Sequence, residues 1–105
     1  MAETIDLSAL KERLQNFAQV RNWEKFHSPK NLAMAMSVEA AELVEIFQWL
    51  KEDESYQLSE NQRQAVKHEV ADVIIYLIRM CSILDINIAE AVDEKILLNG
   101  EKYPE

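Results

Sequence analysis

Glycine and proline are nearly absent from this chain of 105 residues, which has one glycine, Gly100, and two prolines, Pro29 and Pro104. A sheet protein of this size needs several turn positions with positive φ, so the scarcity favours helices. Long apolar runs are missing as well. Although 49% of the residues are apolar, no uncharged apolar stretch reaches the roughly 18 positions that a membrane span needs, and no membrane partner is expected. The opening "MAETIDLSALKERL" has no basic stretch leading into an apolar one, so no signal peptide is expected either. Cysteine is reduced to Cys81 inside an apolar segment, which reads as a packed thiol and fits a reducing cytoplasm. Positive charge is also short. With 11 Lys and Arg against 19 Asp and Glu, the net charge of −8 argues against a nucleic acid polymer as partner. A small phosphate ligand stays open, provided a cation comes with it.

Hydrophobic spacing predicts four helices. Leu7, Leu10, Leu14 and Phe17 recur at three and four residues, so the first helix is expected over Leu7 to Val20 with Asp6 as its N-cap. Ser28-Pro29 opens a second helix expected to reach Lys51. After the polar loop "EDESYQL", Ser59 and Gln62 form a capping-box pattern for a third helix, expected to reach Leu84. Asn87 and Glu90 begin a fourth, expected to stop near Asn99-Gly100. No repeat, linker or low-complexity stretch interrupts the pattern, so one domain spanning residues 1–105 is expected. The fold class is all-α, a four-helix bundle.

The two most apolar helices contain acids. In "SVEAAELVEIFQWL", Glu39 and Glu42 lie about 60° apart around the helix, with Trp49 in line with Glu42, while Glu45 falls toward the edge. In "KHEVADVIIYLIRM", Glu69 and Asp72 repeat the spacing and Tyr76 lies in line with them. A buried carboxylate is costly without compensation. If the two helices pack antiparallel, four carboxylates converge and raise one another's pKa. A divalent ion resolves that conflict, and an all-oxygen set favours a hard cation, Mg²⁺ with Mn²⁺ as a possible substitute. The alternative is a solvated acidic stripe. A di-iron bundle fits poorly: Glu24-x-x-His27 precedes the helix start, and His68 has Ala65 where that motif needs Glu. Both histidines read as surface or packing residues, with His27 near enough to line a pocket.

"VEAAELVEIFQW" followed by "EVADVIIYL" resembles the MazG-type all-α nucleoside triphosphate pyrophosphohydrolases, whose hallmark is E-x-x-E followed by E-x-x-D. The dCTP pyrophosphatase branch is more similar still, through "FAQVRNWEKFHSPKNL" and the closing "KILLNGEKYP". The resemblance runs from about Leu7 to Pro104. It implies cleavage between the α and β phosphates of a nucleoside triphosphate, dCTP or a modified dCTP, giving the monophosphate and pyrophosphate. It implies Glu39, Glu42, Glu69 and Asp72 as both the Mg²⁺ ligands and the catalytic set. Glu45 is the candidate general base or supporting acid.

For the nucleotide, the resemblance puts Lys95, Lys102 and Tyr103 near phosphates or sugar and Asn99 near the nucleotide. Ile88, Val92, Lys95 and Asn99 share one stripe of the fourth helix, although a surface lysine satisfies the same pattern. Trp23, Trp49 and Tyr76 are the stacking candidates, and Asn31 adds a hydrogen-bonding group. The chain departs from the branch at Val38 and Ala41, where relatives often have glycine, and at Gly100 and Glu101, where they can have arginine. A nucleotide is too large for one such chain to enclose, and the long helices are apolar around much of their circumference. A homo-oligomer is therefore expected, and the resemblance implies a homotetramer built as a dimer of dimers. The competing reading is a non-catalytic helical module that binds a metal, a nucleotide or another protein.

Overall fold

The computed structural model describes residues 3–105. Four α-helices follow in order, α1 Leu7–Val20, α2 Pro29–Phe47, α3 Glu60–Ile83 and α4 Ile88–Lys102, with short 3-10 turns at Glu24–Phe26 and Glu54–Tyr56. No strand occurs among the described residues, so the chain is all-α as expected.

Every helix starts on the cap that its sequence provides. Asp6 Oδ1 accepts from Ala9 N at 3.0 Å, Ser28 Oγ from Asn31 N at 3.1 Å, and Asn87 Oδ1 from Glu90 N at 3.0 Å. Ser59 and Gln62 close a reciprocal capping box, at 3.2 and 2.8 Å. Each cap satisfies an amide that has no partner within the helix.

The helix ends differ from expectation in two places. α2 stops at Phe47 rather than Lys51, and Gln48 to Leu50 form a turn closed by Leu50 N donating to Phe47 O at 2.9 Å. Trp49 thus lies beyond the helix, and its alignment with Glu42 does not hold. α4 runs through Gly100 to Lys102. Gly100 is an ordinary helical residue here, with no positive φ and open space where a Cβ would stand.

The left-handed caps fall elsewhere. Asn22 and Asp85 adopt φ of 56° and 55°. After α1, Asn22 N donates to Gln19 O at 3.0 Å and Trp23 N to Ala18 O at 2.9 Å. After α3, Asp85 N and Ile86 N make the matching bonds to Ser82 O and Cys81 O. Both ends are Schellman caps built on Asn and Asp, which tolerate this region better than most residues with a Cβ.

Packing is uneven. α3 is the central element, lying along α2 and more briefly on α1, whereas α4 stands largely free. Among the described residues the fully buried apolar ones are Ala18, Leu32 and Ile78. The radius of gyration is 16.4 Å, against about 13 Å for a compact domain of this length. The accessible surface is 8638 Å², whereas a compact 12.2 kDa monomer exposes roughly 6,000 Å². Much of the excess is apolar: Val92, Ile96, Leu97 and Leu98 of α4 are all exposed. Among the described residues no helix is long and apolar enough to cross a membrane.

Candidate active site

The 48–59 connection folds α3 back onto α2, and their packing brings the acids together. Glu39 of α2 and Glu69 and Asp72 of α3 each offer a carboxylate oxygen, and the three oxygens lie within 4.8 Å of one another. Glu42 is an exposed neighbour of Glu39 and stays outside that trio. Glu69 Oε2 is buried and has no hydrogen-bond partner, a state that costs free energy in a protein interior. Contact with the Glu69 carboxylate, and then burial, push the Glu39 carboxyl above the ordinary range. Glu42 is pushed up as well, chiefly by Glu39. These are the signs of an unneutralised anionic cluster. Its all-oxygen donors and its orphaned buried oxygen fit a hard divalent cation.

Beside the trio is a cleft of about 460 Å³ between α1 and α3, with Asp72 and Tyr76 among its walls. Burial, followed by the Glu39 and Asp72 charges, raises the Tyr76 phenol pKa, so the hydroxyl stays protonated and able to donate. Trp23 also lines the cleft, and its position follows from the α1 cap. The Schellman turn at Asn22 brings Trp23 edge-on against Phe17, with ring centroids 5.7 Å apart. That is the apolar contact such a cap normally makes with the preceding helical turn. The aromatic wall is therefore fixed by backbone hydrogen bonds.

The other residues picked from the sequence lie elsewhere. Asn31 Nδ2 donates to Phe26 O at 3.1 Å and ties the 3-10 turn to the start of α2. Trp49 is 87% exposed and outside the cleft. Lys95 and Asn99 are exposed on α4, and the Lys102 ammonium lies 5.3 Å from the centre of the Tyr103 ring. None of these lines the cleft of its own chain. Glu45 is exposed and adds to the charge that raises Glu42.

His27 lines the cleft, as its sequence position allows, whereas Arg79 does not stand out as functional in the sequence. Arg79 of α3 is buried and lines the cleft, and its Nε donates to His27 Nδ1 at 3.3 Å. Burial and the Arg79 guanidinium lower the His27 pKa, with Glu24 opposing. A cation within "YLIRMCSIL" is as anomalous as the acids that precede it, and that was the available signal.

An all-α chain with clustered carboxylates beside an aromatic-lined cleft defines the class. The MazG-like family model matches residues 34–105, and the chain belongs to that family. It is similar to dCTP pyrophosphatase 1 of Homo sapiens, at 38% identity over 90 residues, and of Mus musculus, at 37% over 90 residues. Each match takes in 84% of this chain and 53% of the relative, so the chain spans about half the length of these curated relatives. A solved pyrophosphatase from Archaeoglobus fulgidus DSM 4304 is 42% identical, with a TM-score of 0.90, covering 100% of this chain and 98% of that one.

Proposed function

We propose that residues 1–105 act as one nucleotide pyrophosphohydrolase domain, cleaving a nucleoside triphosphate between its α and β phosphates. The observation that carries this reading is the convergence of Glu39, Glu69 and Asp72 oxygens beside a cleft walled by Trp23 and Tyr76. The similarity to enzymes named dCTP pyrophosphatase makes dCTP, or a modified dCTP, the first substrate to consider.

Glu39, Glu69 and Asp72 would hold Mg²⁺, with Glu42 joining once the charge is neutralised. Bound there, the ion supplies phosphate charge neutralisation and a more acidic water. The chain's own residues do the rest. Trp23 offers a face for the base, Tyr76 donates from its neutral hydroxyl, and the acidic trio keeps phosphate out unless a cation accompanies it. Glu45 is the free carboxylate near Glu42 available to accept a proton from the attacking water.

The working form in this reading is a homotetramer, a dimer of dimers. The roughly 2,600 Å² of surface beyond that of a compact monomer is of the size that a permanent subunit interface covers, and α4 leaves Val92, Ile96, Leu97 and Leu98 about half exposed or more. Lys95, Asn99, Lys102, Tyr103 and Trp49 lie outside the cleft of their own chain, so their contribution would go to the site of a neighbouring copy. Cys81, free and partly buried, is suited to a cytoplasmic setting.

A panel of the eight common ribo- and deoxyribonucleoside triphosphates, assayed with and without Mg²⁺, tests the proposal. Monophosphate and pyrophosphate in equal amounts are expected with Mg²⁺ only. Release of orthophosphate with a diphosphate, or no hydrolysis at all, would sink it.

A further inference from the structure

Arg79 is the only polar or charged residue fully buried among the described residues, at 6% exposure. Sinking a cationic side chain this far without an opposite charge is costly, yet among the described residues no carboxylate hydrogen-bonds to it, and its Nη atoms keep contact with solvent. Its one hydrogen bond uses Nε and ends on His27 Nδ1. Nη1 and Nη2 have no hydrogen-bond partner among the described residues, and the group borders the cleft. Arg79 lies seven residues beyond Asp72, about 10.5 Å along the helix axis and back on the same face. Tyr76 stands between them, and all three line the cleft. A triphosphate anchored at the Asp72 end would extend its base toward Arg79.

We infer that Arg79 reads the nucleobase, selecting one that presents two neighbouring hydrogen-bond acceptors. This rests on the pyrophosphohydrolase reading above. Guanidinium only donates. Cytosine offers O2 and N3 side by side, and guanine offers O6 and N7. Thymine and uracil set an N3–H donor between their carbonyls, and adenine places its amino donor beside N1 and N7, leaving N3 without an adjacent acceptor on an accessible edge. Those bases leave a buried donor of Arg79 unpaired, which is how a polar site rejects the wrong ligand. With relatives named for dCTP, cytosine is the first candidate and guanine the alternative carrier of the same chemistry.

The test uses the intact protein with Mg²⁺, measuring kcat/KM for dCTP, dGTP, dTTP and dATP in the parent and in Arg79→Gln. The parent is expected to favour dCTP over dTTP and dATP, with dGTP separating the cytosine from the guanine reading. The substitution is expected to lower the dCTP-to-dTTP ratio by about tenfold or more. Because Arg79→Gln alters a buried position, the parent is also given 3-deaza-dCTP, which has C–H in place of the N3 acceptor. A loss of about tenfold or more is expected there too. An unchanged ratio in folded Arg79→Gln, an equal loss across all four substrates, or 3-deaza-dCTP handled like dCTP would overturn the assignment. Failure of the parent to hydrolyse any triphosphate would instead count against the pyrophosphohydrolase reading. The same comparison of dCTP and 3-deaza-dCTP by equilibrium binding then still decides on Arg79.

Discussion

Glu39 and Glu69 sit on different helices, yet their carboxylate oxygens approach within 4.8 Å, and the contact raises the pKa of Glu39. The approach is a property of α2–α3 packing, since neither helix alone could produce it. The packing of α2 on α3 through their other residues holds together charges that repel. Fold stability and site chemistry therefore oppose each other at this point.

That opposition has a pH signature in the metal-free protein. A carboxyl whose folded pKa is raised contributes stability that is fully present below its unfolded value and is lost as pH rises through the folded value. Glu39 and Glu42 both belong to this class, starting from an ordinary value of 4.5. Glu39→Gln, which stays neutral, should therefore be more stable than the parent at neutral pH, with the difference shrinking as pH falls toward 4.5. Urea denaturation of both proteins in chelator across that range measures it. A difference that widens on acidification contradicts the account.

Leu97 is 70% exposed on α4, so in a monomer Leu97→Glu should be nearly neutral, within about 0.5 kcal/mol. If α4 is an interface helix, the same change buries a charge between subunits and drives dissociation. Light scattering at micromolar concentration is expected to give about four chains for the parent and fewer for the variant. A monomeric parent would remove the tetramer from the proposal.

Trp23 and Trp49 should behave differently. Trp23→Ala takes away a wall of the cleft, and the loss of one base–aromatic stack, about 1–3 kcal/mol, predicts a rise in KM of roughly 5- to 150-fold. Trp49 lies outside the cleft of its own chain. If it serves a neighbour, Trp49→Ala subunits mixed and reassembled with Asp72→Ala subunits should recover activity that neither has alone. No recovery would confine Trp49 to its own chain.

The starts of the helices were legible because Asp6, Ser28, Ser59 and Asn87 act through local hydrogen bonds that sequence displays directly. Helix ends were less so. The single glycine suggested a stop at Gly100, whereas the actual left-handed positions are Asn22 and Asp85, residues that adopt φ > 0 without advertising it. The acidic trio could be anticipated from spacing, since 60° sectors on two facing helices must meet if the helices pack. Trp49 could not, because its angular position assumed a helix that ends two residues earlier. Arg79 was missed for a different reason. Its meaning depends on a lack of carboxylate partners, and that is visible only once the packing against α1 and His27 is known.

Asp72→Ala distinguishes a metal site from a structural ion-pair network. Thermal unfolding is followed in chelator and in a Mg²⁺ series, alongside dCTP hydrolysis. The parent should gain stability with Mg²⁺, roughly 2.7 kcal/mol at a hundredfold excess over Kd, and gain less from Na⁺ at matched ionic strength. The variant should lose hydrolysis while remaining at least as stable as the metal-free parent, because one repelling charge has gone. If Asp72→Ala instead unfolds the metal-free protein and leaves Mg²⁺-dependent hydrolysis intact, the acidic trio is not the metal site.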